Sequence, residues 1–264
     1  MEYETILLQQ NNKIATITLN QPKTLNAASD QMIEEFVQCL EEISVKSSIQ
    51  VVVITGAGRA FCGGADIKKR LIPWSERLVN NPQSFAEARI DDKAPILMRD
   101  MRQIIIASVN GPTMGWGNCM ITNCDLRIAS DKATFACNLV KMALVPGWGS
   151  TYNLPRLMGF EKAYELALTG RTFSATEALE MGLLTKVVPH EQLYEVTYEL
   201  ANQIAESPPL AVEWIKRLYR ASLDNDFSNQ LLLERVARAA HQTEDALEAA
   251  KAFVEKRKPK FRGR

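Results

Sequence analysis

The sequence is poor in the residues that most often bind metal ions. Its 264 residues include two histidines, and its five cysteines are scattered, mostly within apolar runs, without the paired spacings of zinc sites. The glycine-rich loops also lack the spacing found in nucleotide-dependent dehydrogenases. We therefore expect no metal and no redox cofactor, and we expect the reduced thiols that are typical of a cytoplasmic protein.

The chain also lacks net charge and long apolar runs. Lysine plus arginine and aspartate plus glutamate each total 31, so no overall field attracts the chain to nucleic acid or to an anionic membrane. No apolar run reaches the roughly 18 residues of a membrane span. We expect a protein that binds neither nucleic acid nor membrane, and in which a local cluster of side chains holds any phosphate group of a ligand.

The composition that is present, 46% hydrophobic and 23% charged, is that of a globular protein. Residues 3–9 and 13–19 are predicted to form two strands joined by a turn at Asn11 and Asn12. Ser29 or Asp30 is expected to cap a helix, because apolar residues recur at helical spacing after it. The apolar run 51–54 predicts a strand buried on both faces, and a glycine-rich loop of residues 56–65 follows it.

The order of strand, glycine-containing loop and helix occurs twice. Prolines are expected to break residues 67–102 into a mobile surface stretch that ends in a helix near 96–102. Later elements are predicted as a strand at 104–109, a loop at 110–117 leading into an apolar helix, and strands near 125–129, 133–137 and 185–188. Helical segments are predicted near 160–169, 174–181, 190–206, 208–222 and 227–256. The repetition favours stacked strand–strand–helix units over a doubly wound sheet.

Several ordered motifs along the whole chain resemble the enoyl-CoA hydratase/isomerase (crotonase) family. The motifs are PKTLNA at 22–27, ITGAGRAFCGGADIK at 54–68, SVNGP at 108–112, CDLRIA at 124–129, LPRLMG at 154–159, LTG at 168–170 and AFVEKRKP at 252–259. The resemblance implies an α/β fold, a crotonase-like spiral of ββα units over residues 1–200. It also implies a C-terminal helical oligomerisation domain over 201–264, a homotrimer or a dimer of trimers, and an acyl-CoA thioester as ligand. CoA is then part of the substrate, so no separate cofactor is expected.

Two backbone N–H groups are expected to polarise the thioester carbonyl. An oxyanion on a thioester is stabilised by donors already aimed at the place where charge develops, and main-chain amides supply them without titratable groups. In similar sequences these donors belong to Ala65, after the Gly63-Gly64 pair, and to Trp116. Trp116 stands where the family usually has glycine, so its indole either narrows the acyl pocket or fills the core.

The same loop is expected to contact the CoA moiety. By resemblance, Ala65, Asp66 and Ile67 line the adenine, and Lys23 and Lys68, with Lys69 beside them, lie in the segments that contact its phosphates. The alternative for each lysine is an exposed, solvated charge. Asp66 is also a candidate for proton transfer, because it follows the first donor, and its structural alternative is to cap the helix that follows.

The two glutamates with which hydratases of this family activate water are missing. Alignment of the motifs places Cys119 at the first glutamate and Leu139 at the second, and neither is a carboxylate. The stretch from Phe135 to Pro146 looks closest to the ring-epoxide isomerases of phenylacetyl-CoA breakdown. Members of that branch carry an aspartate where this chain has Gly147.

Other ionisable residues remain candidates for proton transfer, each with a structural alternative. His241 resembles a position used by decarboxylating crotonases, and its structural alternative is a helix-face histidine at a subunit contact. The remaining candidates are polar residues near the expected pocket: Glu76, Glu87, Asp91, Asp92, Asn138 and Lys141.

Three functions therefore stay open. The first is a lyase, hydratase or isomerase that acts on a bulky or cyclic acyl-CoA with a non-standard acid–base group. The second is decarboxylation or thioester hydrolysis, in which stabilising an oxyanion does most of the work. The third is a catalytically silent CoA-binding subunit.

Overall fold

The computed structural model describes residues 3–81 and 90–264. It begins with an antiparallel hairpin of β1 (Ile6–Asn11) and β2 (Ile14–Leu19), in which Ile6 lies opposite Leu19. Asn12 adopts a left-handed conformation, with φ 53°, at the turn. Asparagine tolerates this conformation better than most residues do. The predicted hairpin and its turn are confirmed, although the first strand begins three residues later than expected.

The hairpin forms one edge of a six-stranded sheet. Its other strands are β3 (Val51–Gly56), β4 (Ile104–Val109), β6 (Leu126–Ser130) and β9 (Lys186–Val188). The strand order is β1-β2-β3-β4-β6-β9, and every pair after β1-β2 is parallel. Helices cover both faces of the central strands, which explains why β3 and β4 consist of nearly continuous apolar residues.

A second sheet of three short strands stands beside the first. Its strands are β5 (Thr113–Met114), β7 (Thr134–Ala136) and β8 (Thr172–Ser174), with β5-β7 parallel and β7-β8 antiparallel. Two isolated bridges, Ala28 to Ala65 and Cys62 to Thr113, join the loop after β3 to its neighbours. The predicted strands near 125–129 and 133–137 correspond to β6 and β7. Strand β8 carries too few residues to show a pattern of alternation.

Helix α1 (Asp30–Ser44) follows the expectation closely. Ser29 is its N-cap, and the Ser29 hydroxyl accepts a hydrogen bond of 3.2 Å from the backbone N–H of Met32. One face of the helix is buried through the residues Met32, Ile33, Phe36, Val37, Cys39, Leu40 and Ile43. The helical spacing of these residues therefore identified the buried face correctly.

The proline-broken stretch predicted over residues 67–102 is wrong for the described residues. A π-helical turn at Ile67–Leu71 leads into α2 (Ile72–Asn80), and α3 (Ile90–Asp100) follows. Pro73 lies in the first turn of α2, directly after the π-helical turn. Pro95 lies inside α3, so the helix begins earlier than residue 96. Proline is tolerated here at a helix start and within a helix that packs on α1.

The second half of the chain is mainly helical. It contains α4 (Trp116–Ile121), α5 (Ser150–Met158), α6 (Phe160–Thr169), α7 (Ala175–Glu180), α8 (Leu193–Ala205), α9 (Pro209–Ala221), α10 (Phe227–Ala237) and α11 (Glu244–Val254). The helices predicted near 160–169, 174–181, 190–206 and 208–222 are confirmed. The segment 227–256 is divided by a 3-10 turn at Arg238–His241, and Thr243 then caps α11. The predicted domain boundary at residue 200 lies within α8 and stays a prediction.

A buried ion cluster attaches α9 to the sheet. Asp125, at the start of β6, accepts hydrogen bonds from Lys216 Nζ at 2.9 Å and from Arg220 at 3.0 Å. Its Oδ2 also accepts the backbone N–H of Ile105 at 2.8 Å. Lys216 Nζ further donates to the carbonyls of Met98 and Gln103, at 3.0 and 2.8 Å. Burial lowers the pKa of Lys216, and Asp125 acts in the opposite direction.

Among the described residues no helix is long and apolar enough to cross a membrane. The helices beyond the sheet nevertheless expose large apolar side chains. These side chains are Ile215, Tyr219, Phe227, Leu232, Val236, Leu247, Phe253 and Val254, each more than half exposed. The prediction that the helical tail carries exposed apolar faces is confirmed.

Candidate active site

The loop after β3 and the turn before α4 meet through two glycines. Gly64 has φ +108° and Gly115 has φ +47°, a region that residues with a side chain rarely adopt. A Cβ atom placed on Gly115 would lie 3.9 Å from Gly64 Cα, and one placed on Gly64 would lie 3.4 Å from the carbonyl oxygen of Met114. The two turns therefore lie in van der Waals contact, and the positive φ at each position is what favours glycine.

Ala65 follows Gly64 and has an unpaired N–H group. Ala28 donates its N–H to the Gly64 carbonyl at 2.8 Å, and its own carbonyl accepts from Asp66 at 2.8 Å. These bonds use the backbone groups on either side of Ala65, so the N–H of Ala65 itself points away from Ala28, as in any parallel bridge. Within the described residues this N–H has no acceptor.

Trp116 has an unpaired N–H group for a different reason. It is the first residue of α4, and the first N–H groups of a helix have no carbonyl one turn earlier to bond. The neighbouring Gly115 donates to Ala136 at 3.0 Å, and the Gly115 carbonyl accepts from Cys119 at 3.0 Å. The N–H of Trp116 has no acceptor among residues 3–81 and 90–264. The two predicted donors therefore lie on loops that touch, and both are free.

Asn26 and Asn110 hold the first of these loops in place. The Asn26 side chain is fully buried, and its Nδ2 lies 2.9 to 3.2 Å from the carbonyls of Ala57, Ala60 and Phe61. Asn110 Oδ1 accepts from Gly56 at 3.2 Å, and its Nδ2 donates to Gly58 at 2.9 Å. Both asparagines stand in the motifs that carried the resemblance. Their bonding role depends on residues more than 30 positions away, so the sequence alone does not reveal it.

The side chain of Trp116 is buried against two other aromatic residues. Its indole is 7% exposed and forms a T-shaped pair with Trp148, with ring centroids 4.6 Å apart and an interplanar angle of 72°. The ring centroid of Trp148 in turn lies 6.4 Å from that of Phe36 in α1. Trp148 is left-handed, with φ 56°, and its carbonyl accepts from Asn123 at 2.8 Å. Trp116 belongs to the core cluster and also borders the Gly115 turn, so both of its expected roles remain compatible with this placement.

Cys119 and Leu139, the two positions predicted to correspond to the family's glutamates, flank the same turn. Cys119 is one helical turn after Gly115, and Leu139 Cδ2 lies 4.0 Å from where a Gly115 Cβ would stand. Asn138 Oδ1 is 3.3 Å from that point. Cys119 and Leu139 both border the Gly115 turn, and neither is a carboxylate.

Burial dominates the chemistry of all five cysteines. It raises the pKa of Cys39, Cys62, Cys124 and Cys137 from 9.0 to about 12, and it also raises the pKa of Cys119. The Ser150 hydroxyl and the Gly147 N–H beside Cys119 act in the opposite direction but do not reverse this shift. Because the thiolate is the reactive form, a nucleophilic Cys119 is disfavoured.

The native protein is expected to leave its thiols unmodified by Ellman's reagent near neutral pH, whereas the guanidinium-unfolded chain should titrate all five. Unfolded thiols ionise near 9, whereas burial raises the pKa of Cys39, Cys62, Cys124 and Cys137 to about 12 and also raises that of Cys119, so the unfolded chain loses these protons first. Raising the pH through that window should therefore lower the free energy of unfolding, which urea titrations at about pH 8 and pH 10 would measure. A rapid reaction of one thiol that is lost in Cys119→Ser would contradict this and identify a nucleophile.

Of the residues expected to contact CoA, Ile67, Lys68 and Lys23 are exposed and Asp66 is buried. Asp66 is 8% exposed, and its Oδ1 accepts from the backbone of Lys68 at 3.0 Å and of Lys69 at 2.8 Å. The capping alternative for Asp66 is therefore confirmed. Ile67 is 50% exposed, Lys68 is exposed, and Lys23 is exposed on a 3-10 turn at Pro22–Thr24.

The remaining candidates lie in different parts of the molecule. His241 lines a cavity of about 330 Å³ whose other lining residues all fall between 208 and 249, within the C-terminal helices. Glu76, Asp92 and Lys141 are exposed. Glu87 and the side chain of Asp91 lie outside the described residues. Within the part of the chain that the structure describes, no group of three or more His, Cys, Asp or Glu is arranged to hold a metal ion.

Comparison with known proteins gives one consistent result. Residues 9–264 match the sequence profile of the enoyl-CoA hydratase/isomerase family. The short-chain-enoyl-CoA hydratase of Clostridium acetobutylicum is 34% identical over 260 residues, which cover 98% of this chain and 97% of that protein. The 1,2-epoxyphenylacetyl-CoA isomerase of Escherichia coli is 32% identical over 265 residues, which cover 99% of each chain. The crystal structure of enoyl-CoA hydratase from Bacillus anthracis superposes with a TM-score of 0.91 at 34% identity, over 99% of this chain and 100% of that one.

Proposed function

The chain belongs to the enoyl-CoA hydratase/isomerase family, and from that membership we propose that it holds an acyl-CoA carbonyl between the N–H groups of Ala65 and Trp116. Its similarity to a solved hydratase over the full length confirms the predicted crotonase-like α/β fold. The protein is a hydratase/isomerase-like enzyme of acyl-CoA metabolism.

The observation that carries the proposal is the pair of free backbone donors on two touching glycine turns. An enolate formed from a thioester places negative charge on the former carbonyl oxygen, and fixed N–H groups stabilise that charge without reorganising. Ala65 and Trp116 are held by Asn26, Asn110 and the packed start of α4, so they are set before a ligand binds. We expect CoA to lie along residues 65–67, with Lys23 and Lys68 near its phosphates.

The chemistry at the acyl group is constrained by what replaces the glutamates. Leu139 cannot transfer a proton, and Cys119 is held as a neutral thiol. At Gly147, where the ring-epoxide isomerase branch has its aspartate, a Cβ would meet no atom within 4 Å. These features favour an isomerase or lyase reaction with a non-standard proton carrier over two-glutamate hydration. Decarboxylation or thioester hydrolysis is the second candidate, because a decarboxylating substrate yields an enolate without a base.

The exposed apolar side chains support assembly through the C-terminal helices. Ile215 and Tyr219 border a cavity of about 540 Å³ that is also lined by Ile104 and Leu126. These two residues are the first of β4 and of β6. The site loops follow the opposite, carboxyl ends of the strands. Apolar surface of this extent is normally covered. The protein assembles as a homotrimer or a dimer of trimers, with His241 near a subunit contact.

A panel of three thioesters tests the proposed function. Crotonyl-CoA is expected to be hydrated very slowly or not at all, whereas a cyclic enoyl-CoA is expected to be isomerised or otherwise turned over. A malonyl-type CoA is the third compound. If it were the only one turned over, decarboxylation would be favoured and the proposed isomerase or lyase reaction would be contradicted. Absorbance of the enoyl thioester and chromatography of the products would follow each reaction. Binding of all three without any turnover would instead indicate a silent CoA-binding subunit.

A further inference from the structure

The two indoles at the candidate site have no hydrogen-bond partners. The Nε1 atoms of Trp116 and Trp148 are both buried, and neither has an acceptor within the described residues. The two residues are 7% and 6% exposed. A buried donor without a partner is destabilising, and buried tryptophans usually find an acceptor for their N–H. Two such orphans in contact with one another are therefore unusual.

The indoles cannot satisfy each other completely. Their rings are T-shaped, 4.6 Å apart at an angle of 72°. In a T-shaped pair only the ring that presents its edge can direct an N–H at the face of the other. At least one of the two donors therefore finds no partner in the other indole.

Trp116 lies at the proposed site, and Trp148 packs against its indole. The backbone N–H of Trp116 is the proposed donor to the thioester, so its side chain starts at the residue that would bind the carbonyl. Trp148 follows Gly147, whose N–H acts on the thiol of Cys119. Space beside Gly147 is open, because a Cβ there would meet nothing within 4 Å. The other residues at this turn, Leu139 and Cys119, are apolar or neutral.

We propose that the indole N–H of Trp116 or Trp148 binds an oxygen of the acyl group, and that the site selects acyl-CoA thioesters carrying a keto or ether oxygen beyond the thioester carbonyl. The inference rests on the proposed function, since it requires a thioester at Ala65 and Trp116. A saturated acyl chain of the same length leaves the donor unpaired. Sites built to bond a substrate oxygen discriminate strongly against analogues that lack it.

The test compares matched pairs of thioesters by calorimetry: pentanoyl-CoA with 4-oxopentanoyl-CoA, and hexanoyl-CoA with 5-oxohexanoyl-CoA. The oxo analogue of at least one pair is expected to bind about 10- to 100-fold more tightly, because it pairs a buried donor. Trp116→Phe and Trp148→Phe keep an aromatic ring but remove the N–H. The variant that removes the pairing N–H should reduce this preference, measured as the ratio of the two affinities within a pair, to nearly onefold.

Trp214→Phe is the matched control, because Trp214 lines the separate cavity in the C-terminal helices. It should keep the full preference, and thermal unfolding should confirm that all three variants are folded. Equal affinities for both members of each pair in the unaltered protein would overturn the inference and leave the proposed function standing. A preference that persists in both site variants would also overturn it. Failure of every acyl-CoA to bind would overturn the proposed function as well.

Discussion

Replacing Ala65 by proline is expected to weaken binding of an enolate-forming thioester by about 100-fold or more, because it removes one of the two proposed donors. The two hydrogen bonds of the Ala28 bridge use Gly64 and Asp66, so the substitution removes no bond that holds the loop. Ala65 is also absent from the residues with positive φ, which proline cannot adopt. Acetoacetyl-CoA, which readily forms an enolate, is the probe, and calorimetry gives its dissociation constant.

Free CoA provides the internal control for this experiment. It lacks the thioester carbonyl, so its affinity should change little in Ala65→Pro. Ala65→Ser keeps the backbone N–H and should bind both compounds nearly as the unaltered protein does. If Ala65→Pro bound acetoacetyl-CoA normally, the N–H of residue 65 would not be a donor to the ligand. If affinity for free CoA fell equally, the loop itself would have moved.

Replacing Asp125 by alanine is expected to lower the free energy of unfolding by about 3–5 kcal/mol, because it leaves a buried cation unpaired. Lys216 has 3% of its side chain exposed, and Asp125 is the group that counteracts the lowering of its pKa by burial. Arg220 would lose the same partner. Urea unfolding followed by circular dichroism measures the loss, at one fixed protein concentration so that any assembly contributes equally.

The lysine is the matched partner in a double-mutant cycle. Lys216→Met removes one cation but leaves Asp125 bonded to Arg220 and to the N–H of Ile105, so its cost should be smaller. In the double variant the buried charge on Lys216 disappears with its partner, and the loss should fall below the sum of the two single losses. A loss of less than about 1 kcal/mol in Asp125→Ala would contradict the buried pair.

Local signals identified most of the fold. Ser29 caps α1 through its own hydroxyl, and β3 and β4 are continuous apolar runs, so neighbouring residues were enough to place these elements. Pro73 and Pro95 misled the prediction, because proline stops a helix only where its ring or its missing N–H is not accommodated. Strand β8 and the division between α10 and α11 depend on packing partners that short windows do not contain.

The backbone donors of the candidate site could be predicted from the sequence. The side-chain contacts between residues far apart in the sequence could not. Ala65 and Trp116 were assigned from the resemblance, and the structure places their loops in contact. Trp148 was not predicted, because nothing near it in the chain indicates that its indole meets Trp116, 32 positions earlier. The bonding of Asn26 to a loop 31 to 35 residues away is hidden for the same reason.

The proposed donors at Ala65 and Trp116 belong to the main chain, and this affects how such a protein can diverge. Every amino acid except proline carries a backbone N–H, so substitution at either position would keep the proposed thioester contacts. The side chains around it, including those at 119, 139 and 147, are then free to be exchanged without first losing the ligand. Related proteins with such a site could therefore change the reaction they catalyse while still binding the CoA thioester that their substrates share.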